Sequence, residues 1–262
     1  MTCTTVGYDT PGLNILQIRC DLNNQARGIV DVESGTLYVL GKATNNGTLS
    51  TSAFLGGGGN TMTFNKMLTN NAGGQINVNG PGDTLKAAGG LANGGAVSVK
   101  NGSTIDPPFL NNIGTVSIDG TSTVVVGTGS VAGPGYVQLA NGTLGEMISS
   151  TAFGTITVAG SAFLDGTLDI ILHSGFNPSI GSTYGIILFS PGGLNGTFAT
   201  IQNQVFNAGT EIWQINRDNT NGQVLLTAAK NINFTPTPEP ASFLLLGTGL
   251  MGLVYRLRLR TT

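Results

Sequence analysis

One five-residue pattern limits what this chain can fold into more than any other feature: a glycine, then alternating polar and aliphatic positions. It occurs as Gly35-Thr-Leu37-Tyr-Val39, Gly74-Gln-Ile76-Asn-Val78, Gly95-Ala-Val97-Ser-Val99 and Gly114-Thr-Val116-Ser-Ile118. It returns as Gly154-Thr-Ile156-Thr-Val158 and Gly166-Thr-Leu168-Asp-Ile170. Alternation with period two, rich in β-branched residues, is the mark of a strand with one buried face. Asn-rich turns, Asn70-Asn71, Asn93 and Asn111-Asn112, precede three of the runs. The starts at 74, 95 and 114 lie one period of about 20 residues apart, and 154 lies two further periods on. No helical periodicity separates these strands.

A repeat of this length, all strand and turn, predicts a solenoid of β-coils. A single coil cannot bury its apolar face, whereas coils stacked about 4.8 Å apart share a continuous Val/Ile/Leu interior. From Val30 to Lys230 this spacing gives roughly ten coils. Glycines and Asn-Gly pairs permit the corners. Asparagines that fall in register can form side-chain ladders along the rod. A β-sandwich of hairpins shares the alternation and the turn residues but accounts less well for the spacing. The expected fold is all-β: a right-handed parallel β-helix followed by a short C-terminal apolar helix.

The last 25 residues obey different rules. Pro238-Glu239-Pro240 precedes an uncharged, mostly apolar stretch from Ala241 to Tyr255, and Arg256, Arg258 and Arg260 follow. Fifteen helical residues reach about 22 Å, short of the roughly 30 Å hydrocarbon core unless Tyr255 and the arginine stems extend into the interface. Such a marginal span suits temporary retention better than permanent anchoring. The arginines should stay cytoplasmic, which sends Pro238-Glu239-Pro240 to the far side of the membrane. Gly247-Thr-Gly249-Leu-Met-Gly252 matches a dinucleotide fingerprint by letter only. That motif must follow a strand and lead to an acidic residue about 20 positions on, and the chain ends first.

The polar tripeptide, apolar segment and basic end resemble the sorting signal of PEP-CTERM proteins, which Gram-negative bacteria export and process with a membrane enzyme, exosortase. The resemblance implies recognition through Pro238, Glu239 and Pro240, with Arg256, Arg258 and Arg260 setting membrane orientation. It implies an exosortase-type partner, transient inner-membrane anchoring through 241–255, and delivery to the cell surface or outside the cell. It also implies a biofilm or exopolysaccharide setting, with extracellular polysaccharide as a further partner. A second resemblance covers about 135–200. Gly135-Tyr-Val-Gln138, Thr143-Leu-Gly-Glu146, Leu164-Asp-Gly166-Thr-Leu168, Gly175-Phe-Asn-Pro178 and Gly181-Ser-Thr-Tyr184 are similar to the C-terminal module of autotransporter passenger domains. That likeness implies that 175–230 caps the solenoid.

The expected organisation is an N-terminal segment at 1–29, either a truncated start or a cap, then β-helix repeats at 30–174. A C-terminal β cap at 175–230 and a Thr/Pro linker at 231–240 follow, and the sorting signal occupies 238–262. Met1-Thr-Cys-Thr-Thr has neither a basic region nor a following apolar run, so the chain is expected to begin downstream of its native start. Cys3 and Cys20 are the two cysteines and could pair in an oxidising compartment.

Composition fits an exported non-enzymatic protein. Charged residues are 9% of the chain, against about 25% in typical soluble domains. Asn, Thr and Ser supply the polarity instead, and the net charge is −2. A faintly acidic chain with few clustered cations does not bind nucleic acid. No cofactor or metal site is expected. His173, the one histidine, reads as a turn residue. The rival reading is a polysaccharide lyase or hydrolase on the same fold, which needs two carboxylates about 5–9.5 Å apart. Asp165 with Asp169, sharing a strand face, or Asp106 with Asp119, on neighbouring coils, are the candidate pairs. Asn-Gly-Ser/Thr at Asn46, Asn101, Asn141 and Asn195 reads as four turns. Thr61-x-Thr63, Thr121-x-Thr123 and Thr155-x-Thr157 look too few and irregular for a binding array. The function expected is therefore structural and adhesive.

Overall fold

In the computed structural model, residues 5–10, 13–52, 57–127, 134–150 and 152–233 are described. The chain divides into two units, Met1–Lys230 and Asn231–Thr262. Two strands, β1 (Thr5–Thr10) and β2 (Leu13–Ile18), open the first unit and pair antiparallel. The chain then winds through coils that each visit three sheets in turn, B, then C, then A. The first coil is β3 (Leu22–Asn24), β4 (Ile29–Val32) and β5 (Thr36–Val39); the second is β6 (Ala43–Asn45), β7 (Thr48–Ser52) and β8 (Thr61–Phe64). The third is β9 (Leu68–Asn70), β10 (Gln75–Asn79) and β11 (Thr84–Ala87); the fourth is β12 (Leu91–Asn93), β13 (Ala96–Lys100) and β14 (Thr104–Asp106).

Three more coils follow. The fifth is β15 (Leu110–Asn112), β16 (Thr115–Ile118) and β17 (Thr123–Val126); the sixth is β18 (Pro134–Gln138), β19 (Thr143–Ile148) and β20 (Thr155–Val158). The seventh is β21 (Ser161–Leu164), β22 (Thr167–Leu172) and β23 (Thr183–Leu188). Next, β24 (Leu194–Gly196) and β25 (Thr200–Gln202) add one strand each to sheets B and C. Sheet A instead continues antiparallel through β28 (Gln223–Lys230), β27 (Glu211–Asp218) and β26 (Val205–Phe206).

All strand pairing between successive coils is parallel, so the solenoid is a parallel β-helix. The described residues hold seven complete coils, fewer than ten, for two reasons. The step from one coil to the next runs from 19 residues (Asn93 to Asn112) to 33 (Thr167 to Thr200) rather than a uniform 20, and residues 203–230 go into antiparallel strands. The alternation works as the sequence implies: Leu37, Val39, Ile76, Val78, Val97, Val99, Val116 and Ile118 point inward and are buried. Each buried aliphatic side chain contributes about 1.5–3 kcal/mol of burial free energy. One expected period fails. The runs at 74, 95 and 114 are sheet C strands, whereas Gly154-Thr-Ile156-Thr-Val158 is β20 in sheet A. Strands of both sheets obey the same parity rule, so the same pattern marks either.

Phe153, Tyr184, Trp213 and Phe206 form a chain of ring contacts with centroids 5.5, 5.7 and 4.8 Å apart. These rings pack the antiparallel strands onto the end of the coils. Among the described residues no helix is long and apolar enough to cross a membrane. The apolar helix expected at 241–255 lies outside the described residues.

Candidate functional surfaces

The corner between sheets B and C explains the Asn-rich turns. Asn24, Asn45, Asn70, Asn93, Asn112 and Gln138 end successive sheet B strands, and each is buried. Each amide donates to the next coil's side-chain oxygen: Asn24 to Asn45, Asn45 to Asn70, Asn70 to Asn93 and Asn93 to Asn112, all at 2.8 Å. Asn112 donates to Gln138 at 2.9 Å. Those links span 21, 25, 23, 19 and 26 residues, so the register is regular in space although irregular in sequence. The same NH2 groups also reach main-chain oxygens, as Asn45 does to Gly47 and Gln75. The expected asparagine ladder therefore exists, and its members are hydrogen-bonded as buried amides must be. Gly47, Gly95 and Gly114 follow from it, because a Cβ on any of them would overlap a carbonyl oxygen of the preceding coil.

The corner between sheets C and A is polar by a different device. Asn60, Asp83, Ser103 and Ser122 are buried there, and their side-chain oxygens accept main-chain N–H groups. Asn60 accepts from Gly35, Asp83 from Asn60, and Ser122 from Gly102 and Ser103.

Outside, the parallel register lines hydroxyls into columns. On sheet A, Thr36, Thr61, Thr84, Thr104, Thr123 and Thr155 are direct neighbours strand to strand. On sheet C, Thr115, Thr143, Thr167 and Thr200 form a second column. This corrects the sequence expectation that the threonines are too irregular to form an array. The array is made by the first residue of each strand, one per coil, and not by Thr-x-Thr pairs. The column beside it on sheet A is mixed: Tyr38, Thr63, Lys86, Asp106, Val125 and Thr157.

The candidate catalytic carboxylates lie on strands and in turns, each with its own surroundings. Asp106 lies on β14 in sheet A beside Lys86, whereas Asp119 lies in the turn after β16. They do not stack, because one belongs to a strand face and the other to a corner. Asp119 accepts from the Asn101 N–H at 2.7 Å and from the Thr121 N–H and hydroxyl at 3.0 and 2.9 Å. Partial burial pushes its carboxyl up, but these bonds and one with Ser122 outweigh it and hold the group below the usual range. Asp165 is spent on its own turn, accepting from the Gly166 N–H at 2.7 Å. Asp169 accepts from the Asn203 amide at 2.7 Å. His173 is exposed in a turn, where its carbonyl accepts from the Phe176 N–H. Among the described residues no cluster of His, Cys, Asp or Glu could hold a metal ion. Of the four Asn-Gly-Ser/Thr sites, Asn46, Asn101 and Asn141 are in bends or turns, but Asn195 lies within strand β24.

Glu146 is the residue that sequence reasoning passed over. It replaces an aliphatic side chain in the inward column of sheet C, between Ile118 and Ile170. Its side chain is fully buried, and neither carboxyl oxygen has a hydrogen-bond partner. Burial pushes its carboxyl well above the ordinary carboxylate value, which favours the protonated form. Gly154 leaves room for it, since a Cβ there would overlap Glu146 Oε2. Tyr136 is buried nearby and donates to Gln138 Oε1 at 2.6 Å; burial first, and the Glu146 charge second, raise its hydroxyl titration. The signal was present in the sequence: strict alternation from Thr143 turns Glu146 inward.

Comparison with known proteins places the sorting signal. Residues 236–259 match the family model described as the PEP-CTERM protein-sorting motif. That match includes Pro238, Glu239, Pro240, Arg256 and Arg258, and Arg260 lies just beyond it. All six residues lie outside the described residues, as does Cys3 and with it the Cys3–Cys20 pairing. The chain therefore carries a PEP-CTERM sorting motif, which marks an exported protein for an exosortase-type membrane enzyme and for transient anchoring. No curated protein matches the chain. Among solved structures, the Haemophilus influenzae Hap adhesin is similar at 14% identity and a TM-score of 0.29. The similarity covers 86% of this chain but 28% of that one, so the chain spans little more than a quarter of the adhesin's length.

Proposed function

We propose that this protein is a structural and adhesive rod of the Gram-negative cell surface or extracellular matrix, not an enzyme, and that it works among exopolysaccharides in a biofilm. The sorting motif at 236–259 carries this reading, because it marks the chain for export. The exterior supports it. Threonine columns on sheets A and C offer many weak, repeated hydrogen-bonding positions, which suits multivalent contact better than a single deep site. The carboxylates Asp106, Asp119, Asp165 and Asp169 are each committed to different strands or turns, which supports a non-catalytic role. Fractionation of the native host after digestion of its matrix polysaccharide tests the proposal. Release of the protein with the digested matrix is the expected result. Recovery in the cytoplasm, or glycan cleavage by the purified chain, would overturn it.

A further inference from the structure

Next to the amide ladder, a second column runs along the B–C corner: Asn46, Asn71, Gly94, Ile113 and Leu139. Main-chain bonds from each to the preceding coil's ladder residue fix its members in register. The column changes character along the rod. At its start Asn71 donates to Asn46 Oδ1 at 2.9 Å, forming an amide pair at the surface. At its end Ile113 and Leu139 stand 50% and 40% exposed. Between them Gly94 contributes no side chain, and a groove of about 360 Å³ opens there.

That glycine is not required by the fold. Its φ is outside the left-handed region, and a Cβ would meet Asn70 O at 3.4 Å, Ala72 N at 3.6 Å and Ile113 Cδ1 at 3.7 Å, all ordinary contacts. Its neighbour Gly95 differs, since a Cβ there would overlap the Gly74 carbonyl oxygen. Small residues, Ala72 and Ala92, keep the rest of the groove low, and none of its lining residues is charged. Asn111 sits at the rim, exposed, and its amide makes no hydrogen bond to a described residue.

We propose that this groove is a subsite for neutral sugar residues of an extended polysaccharide. A pyranose ring has an aliphatic face and a hydroxyl edge. The groove offers the matching halves, Ile113 and Leu139 for the carbon face, and the Asn71 and Asn111 amides for the hydroxyls. An uncharged lining fits an uncharged glycan and gives an anionic one no cation to pair with. The proposal rests on the polysaccharide reading above and names where and what that contact is.

Affinity electrophoresis of the full chain in mild detergent, through gels holding dextran, galactomannan or alginate, tests it. At least one neutral glycan should retard the wild type, with alginate weaker. Gly94→Leu, which fills the groove, and Ile113→Ser, which removes a wall at an exposed position, should each weaken retention by at least about tenfold. Ile180→Ser, at a position 60% exposed in the turn before β23 and outside both the groove and the threonine columns, should leave it unchanged. Equal retardation of wild type and both groove variants would overturn this site and leave the polysaccharide reading standing. No retardation by any of the glycans would overturn both, and preference for alginate would overturn the neutral-sugar assignment.

Discussion

The B–C corner and the inward column of sheet C both bury polar side chains in one solenoid, with opposite outcomes. At the corner, Asn45, Asn70 and Asn93 each donate to the next coil and accept from the one before. In the inward column, Glu146 sits between Ile118 and Ile170 with both oxygens unpartnered. The difference is one of chemistry under translation. A primary amide holds donors and acceptors at once, so a copy displaced by one coil completes it, and the stack propagates. A carboxyl in an aliphatic column finds nothing to complete it and answers by keeping its proton. Repetition therefore lets a buried side chain satisfy its own copies where it carries both donor and acceptor, and leaves a lone acceptor without a partner in an aliphatic column.

The comparison is broken most sharply by putting the second chemistry into the first region. Asn70→Asp removes the donors to Asn93 Oδ1, Gly74 O and Ala96 O and buries a carboxylate among acceptors. It should cost about 3–5 kcal/mol at neutral pH, read as a fall in the midpoint of urea unfolding, and a neutral result would deny that the ladder carries stability. Gly95→Ala tests the close approach that the ladder imposes. It should cost about 2 kcal/mol, whereas Gly94→Ala, one residue away with open space, should change stability by less than about 0.5 kcal/mol.

Smaller, and opposite in sign, is Glu146→Leu, which should raise stability at neutral pH by about 1–2 kcal/mol. The wild type should also lose stability as pH rises above 4.5, the ordinary value of the glutamate carboxyl. There the unfolded chain has released the proton that the folded chain retains, so Glu146 alone contributes a decline of about 1.4 kcal/mol per pH unit up to its raised folded value. Glu146→Gln should remove that part of the slope. Urea melts from pH 4 to 8 on both proteins measure it, and parallel slopes would show that Glu146 ionises freely.

Much of this architecture was legible. Gly-Thr-Leu/Val/Ile alternation located the strands, and Asn before Gly located the ladder corner, because both patterns are local. Sheet membership was not local, which is why β20 passed for a sheet C strand. The threonine column escaped for the same reason. Thr36, Thr61, Thr84, Thr104, Thr123 and Thr155 are unevenly spaced along the chain, since corner loops differ in length while the register does not. Asp106 and Asp119 looked like neighbours by number, but strand face and corner separate them. The groove at Gly94 was invisible for a subtler cause: in the sequence Asn93-Gly94-Gly95, only the fold distinguishes the glycine it needs from the one it does not.

The most direct test of the account is C-terminal peptide mass spectrometry on protein recovered from the outer surface of its native host. A terminus near Pro240, with Ala241–Thr262 absent, is the predicted result, and it would join the solenoid to export and processing. An intact Thr262 on surface protein would contradict it.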